Sequence, residues 1–116
     1  MSIEKAKKHF LGKEGHARLN CVQSILTAFK DKVSFDEKTM AKLASYGGGN
    51  APEGLCGAYY AAKCLLEKNL PNKLQELETF FRNAAGSLKC KEIRQMKKLS
   101  CLGCVEKAAE FVDRFH

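Results

Sequence analysis

Long apolar runs are missing from this chain: no stretch of its 116 residues approaches the ~18 apolar residues that a membrane span needs. The segment Met1 to Phe10 is charged and lacks the continuous apolar core of a secretory signal, so the expected compartment is the cytosol. Strict alternation of apolar and polar residues is absent and β-branched residues are few, which argues against strands. Proline occurs only twice, at Pro52 and Pro71, each where a helix could start, because the first helical turn has no partner for the N–H that proline lacks. No Ser-His-Asp set is present, and His9, His16 and His116 stand at no metal-ligand spacing from a carboxylate or cysteine. There is no internal repeat, linker or low-complexity segment. The length fits one domain, residues 1–116, able to bury its own core.

What is present is basic and helical. The formal charge is +7, with Lys5, Lys7, Lys8 and Lys13 early and Lys89, Lys91, Arg94, Lys97 and Lys98 late. RNA-recognition, KH and zinc-finger spacings are absent, as is basic–aromatic interleaving, so a solvated basic surface is expected rather than a nucleic-acid interface. Apolar spacing predicts helices over 3–11, 17–32, 36–46, 53–69, 71–85, 87–97 and 100–115. Ser34 and Glu37 have capping-box form at the third, Gly86 should cap the fifth, and Ser100 should open the last. In that last helix Cys101, Cys104, Ala108, Phe111 and Phe115 fall on one stripe, widened by Leu102, Val105, Ala109 and Val112. The expected fold is a compact all-α bundle of five to seven helices.

Six cysteines are more than a chain of this size needs for folding, and in a reducing compartment they point to metal binding or redox chemistry. Cys56 follows a glycine-rich loop, Gly47-Gly48-Gly49-Asn50-Ala51-Pro52-Glu53-Gly54, and lies near a helix start, where the helix dipole favours thiolate over thiol. Gly48, Gly49, Gly54 and Gly57 are the positions where backbone can approach a bound cofactor closely. The loop has no Gly-Lys-Ser/Thr ending and follows no strand, so a phosphate loop is disfavoured. Cys101-Leu102-Gly103-Cys104 is a CxxC whose sulfurs can meet across one turn, close a disulfide or supply two vertices of a metal site. Two small apolar residues on a helix seam would look the same. The candidate catalytic residues are therefore Cys56, Cys101 and Cys104. Cys90, between Lys89 and Lys91 and one turn before Arg94, is either a cation-stabilised thiolate or a half-buried residue of a basic helix. Cys21, beside Val22, Ile25, Leu26 and Phe29, reads alone as core. Cys64 lies two turns beyond Cys56, ~12 Å along the helix, too far for a direct disulfide, and reads as packing, as do Tyr59 and Tyr60.

Taken together these residues resemble the bacterial and archaeal C_GCAxxG_C_C family of redox-active proteins, named for spaced cysteines around a glycine–alanine motif. The resemblance runs from about residue 20 to 114. It rests on Cys21, the glycine run Gly47-Gly48-Gly49, Cys56-Gly57-Ala58 with Ala61 at the motif's closing glycine, Phe80, Gly86-Ser87, Cys90 and Cys101. It implies Cys21, Cys56, Cys90 and Cys101 as the functional set, also the candidate metal ligands, and a redox partner protein. Cys64 and Cys104 lie outside that set. Single cysteines from several helices can converge in a bundle. Converged thiolates suit dithiol–disulfide exchange, an iron–sulfur cluster or tetrahedral zinc. A non-enzymatic metal-thiolate module and a basic interaction domain with structural cysteines remain the alternatives.

Overall fold

The computed structural model describes residues 2–12, 20–29, 37–45 and 52–115. These form seven α-helices and no strand: α1 Ser2–Leu11, α2 Cys21–Ala28, α3 Glu37–Ala44, α4 Gly57–Asn69, α5 Leu74–Ala85, α6 Cys90–Met96 and α7 Cys101–Phe115. A single turn of 3-10 helix precedes α4 at Pro52–Gly54 and another precedes α5 at Pro71–Lys73. The all-α expectation holds.

α4 is the axis of the bundle. It packs against α2, α5 and α7, and α1 closes the outside by packing on α2 and α7. Its sequence explains the position. Ala58, Ala61, Ala62, Leu65 and Leu66 are all fully buried, so α4 is apolar on more than one face, with small residues that let neighbouring helices come close. Around it α2 contributes Val22, Ile25, Leu26 and Phe29, α5 contributes Leu77 and Phe81, and α7 contributes Val105, Ala108, Ala109 and Val112. Each large apolar side chain withdrawn from water is worth about 1.5–3 kcal/mol. The Tyr59 and Phe81 rings meet at 5.4 Å between α4 and α5, and Phe80 meets Phe111 at 5.2 Å between α5 and α7. On the rim, Lys7 of α1 reaches Glu106 of α7 at 2.9 Å and holds its carboxyl below the usual carboxylate range. Both groups are partly exposed, so the pair is worth at most about 1 kcal/mol.

Helix starts differ from the sequence expectation more than helix centres do. α2 begins at Cys21, not at residue 17. The Asn20 side chain accepts from the Gln23 N–H at 2.8 Å, and Gln23 Oε1 accepts from the Asn20 N–H at 3.2 Å, a reciprocal cap. α4 begins at Gly57, not at residue 53, because Glu53 (φ 61) and Gly54 (φ 72) are left-handed and break the helical path. α6 begins at Cys90, not at residue 87. The buried Ser87 hydroxyl accepts from the Lys89 N–H at 3.1 Å and donates to Glu92 Oε1 at 2.9 Å, which holds the approach non-helical. Two expected ends match: Gly86 closes α5 at φ 89, and Ser100 Oγ accepts from the Gly103 N–H at 3.0 Å to open α7. The Ser34–Glu37 cap and the Gly47–Gly49 run lie outside the described residues.

Candidate functional site

The corrected helix starts put the cysteines in equivalent places. Cys21 is the first residue of α2, Cys56 is the N-cap of α4, Cys90 is the first residue of α6, and Cys104 lies in the first turn of α7. Two of these starts are fastened to each other. Leu55 and Lys89 form an isolated antiparallel bridge, and the Cys56 N–H donates to the Leu88 carbonyl at 2.7 Å. This link between the turn before α4 and the turn before α6 brings Cys56 and Cys90 to one place.

That place is a cavity of 580 Å³ whose walls include all four thiols, Cys21, Cys56, Cys90 and Cys104. Cys56 and Cys104 are buried, at 6% and 3% exposure, while Cys21 and Cys90 are half-buried. Phe10, Ile93 and Leu99 supply apolar wall, and Arg94 and Lys97 supply two cations. Gly57, the first residue of α4, also lines it.

Cys56 is the acidic thiol of the group. Its pKa is lowered from 9.0 to about 7. The largest cause is a hydrogen bond from Cys104, followed in the opposite sense by burial. The backbone N–H groups of Tyr59 and Ala58, which have no helical acceptor at the start of α4, and the Arg94 charge then hold the thiolate. Cys64 behaves in the contrary way. It sits two turns along α4, outside the cavity wall, and burial pushes its pKa up to about 11. The two cysteines of one helix thus differ in acidity, Cys56 lowered by its neighbours at the helix start and Cys64 raised by burial.

The sequence candidates are distributed as follows. Cys21, Cys56, Cys90, Cys104 and Gly57 stand at the cavity. Gly54 is exposed in the turn ahead of α4. Cys101 is the first residue of α7, and its side chain lies outside the described residues, as do Gly48 and Gly49. Among the described residues no three His, Cys, Asp or Glu side chains stand together as ligands of a metal ion. Sequence reasoning had no reason to choose Phe10, Lys97 or Leu99, because nothing local marks residues from α1 and from the turn after α6 as neighbours of Cys56. The start of α2 was missed although its signal was present: Asn20 and Gln23 have the spacing of a reciprocal cap, which sets Cys21 at the helix start.

Residues 19–115 match the family model described as Putative redox-active protein (C_GCAxxG_C_C). The chain belongs to that family. It is a redox-active family by description, and the match covers nearly the whole bundle, from the residue before the Asn20 cap to the end of α7. The family name spells its central motif Gly-Cys-Ala, whereas this chain reads Cys56-Gly57-Ala58, with glycine after the cysteine. No curated protein and no solved structure matches the chain. No helix among the described residues is long and apolar enough to cross a membrane.

Proposed function

We propose that the chain is a dithiol–disulfide exchange protein in which Cys56 is the attacking thiolate and Cys104 the resolving thiol. The observation that carries this reading is that Cys56 and Cys104 line one cavity, with Cys56 at a helix start where the Cys104 thiol and the free amides favour its thiolate. The Cys56 thiolate attacks one sulfur of a substrate disulfide, forming a mixed disulfide and expelling the other sulfur as a thiolate. Cys104 then loses its proton to solvent and attacks the Cys56 sulfur. The second half of the substrate leaves as a thiolate, which takes up a proton. The chain has given two electrons and holds a Cys56–Cys104 disulfide. An external thiol that can enter the cavity reduces it and closes the cycle.

The test is trapping. Cys104→Ser should accumulate a mixed disulfide on Cys56 when the protein meets a disulfide, and Cys56→Ser should accumulate none there. If Cys101 is the resolving residue, trapping will appear in Cys101→Ser and not in Cys104→Ser. If Cys56→Ser leaves the redox titration unchanged, the reading is wrong.

A second reading is favoured by the convergence of four thiols on one cavity: ligation of an iron–sulfur cluster or zinc by cysteines drawn from Cys21, Cys56, Cys90 and Cys101 or Cys104. On the exchange reading, anaerobically purified protein should lack the broad absorbance near ~400 nm that a cluster gives and dithionite bleaches. Its presence would make electron transfer the working mechanism.

A further inference from the structure

We infer that the substrate of this thiol pair is a small acidic disulfide, with an apolar body for the cavity and a carboxylate for Arg94 and Lys97. The inference rests on the exchange reading above and names the class of molecule that site would take.

Three observations select that class. The first is access. Cys56 and Cys104 are 6% and 3% exposed, so neither sulfur is offered on a flat surface to a folded partner. They are reached through a cavity of 580 Å³, within the roughly 300–1,000 Å³ range that takes small molecules. The second is the character of the wall. Phe10, Ile93 and Leu99 favour an apolar body. The third is charge. The exposed Arg94 and Lys97 line the cavity, and no Asp or Glu is among the described residues that do. Residues at the N-terminal ends of α2, α4 and α7 line the same space, where a helix start adds positive potential. The net charge of +7 steers anions toward the molecule as a whole.

Lys97 adds a detail in the same direction. It closes α6 in the left-handed conformation, φ 55 and ψ 22, a position that glycine fills without strain. A lysine there bears a backbone cost and places its charge at the cavity wall.

The chemistry is the two-step exchange already given, with the acidic disulfide as the named oxidant. One S–S bond of the substrate is reduced to two thiols and one S–S bond forms between Cys56 and Cys104.

The experiment compares two aromatic disulfide probes, the dianionic bis(nitrobenzoate) disulfide and the uncharged dipyridyl disulfide. Each is mixed with native protein, with Arg94→Gln, with Lys97→Gln and with the urea-unfolded chain. The readout is the ratio of the two second-order rate constants, which cancels any change in the thiolate fraction of Cys56. Native protein should favour the anionic probe by about tenfold over the unfolded chain, with the preference shrinking at high salt. Each glutamine variant should lose most of that preference. Circular dichroism checks that the two exposed substitutions leave the helices intact, and either variant alone suffices to decide. An unchanged ratio in either folded variant overturns the inference, as does faster oxidation of the pair by a folded protein disulfide than by either probe. Peptide mapping separates this failure from failure of the exchange reading: if neither probe yields a Cys56–Cys104 or Cys56–Cys101 disulfide, the exchange reading falls first.

Discussion

Cys56 owes its acidity to groups contributed by other elements as much as to its own helix: the Cys104 thiol from α7 and the Arg94 charge from α6 act beside the Tyr59 and Ala58 amides. Alkylation of Cys56 should therefore rise with pH to a midpoint near about 7, and Cys104→Ala should move that midpoint upward, since it removes the largest cause. Cys64 should stay unmodified until the pH nears about 11. Both shifts also act on stability. The folded-state pKa of Cys56 is depressed, so its contribution is fully present above the unfolded value of 9.0 and is lost as pH falls through about 7. Cys64 is raised, so its contribution is complete below 9.0 and is lost as pH rises through about 11. The thiol contribution to the stability of the reduced protein should thus climb from pH 7 to 9 and decline above it, and urea midpoints across that range check the sign. Part of this was legible in the sequence. Cys56 after a glycine-rich loop pointed to a helix-terminal thiolate, and Cys64 two turns on pointed to packing. The influence of Cys104 was not legible, because the CxxC spacing treats Cys101 and Cys104 alike.

Helix centres follow from apolar periodicity, whereas helix starts depend on which backbone N–H groups are satisfied from elsewhere. That is why the centres of α4 and α6 were legible and their starts were not. The Leu55–Lys89 bridge and the Cys56 N–H to Leu88 bond join segments far apart in sequence, and no local pattern announces them. Pro52 does open a helical turn, but the turn stops at Gly54 because Glu53 and Gly54 are left-handed. At the other end of α5, Gly86 lies at φ 89, and a Cβ there would stand 2.6 Å from Met96 Sδ. Gly86→Ala should cost about 1–2 kcal/mol in urea unfolding. Lys97→Gly should do the reverse, stabilising by about 1 kcal/mol through relief of its left-handed backbone. Ser87→Ala removes a buried hydroxyl that partners both the Lys89 N–H and Glu92, and it should cost about 1–2 kcal/mol.

Across the molecule, α4 is the axis, and the thiol pair bridges it to α7. A Cys56–Cys104 disulfide would close a long loop that spans α4, α5, α6 and the first turn of α7. On the loop-closure account such a link constrains the unfolded chain by about 4 kcal/mol. The oxidised protein should therefore melt at a higher temperature than the reduced one, and the difference should vanish in Cys104→Ser. Oxidation state would then be readable from thermal unfolding alone. The all-α architecture was legible at this scale because missing alternation and abundant helical spacing agree. Which cysteines meet was not, since that depends on how seven helices are stacked. The stacking also has a consequence for synthesis. The groups that acidify Cys56 most strongly from a distance, Cys104 and Arg94, come late in the chain. A nascent polypeptide that has emerged only as far as α4 has the Tyr59 and Ala58 amides but not yet the Cys104 thiol, the largest cause of the lowered pKa. On the exchange reading, Cys56 reaches its full acidity only once α7 has been made and has docked.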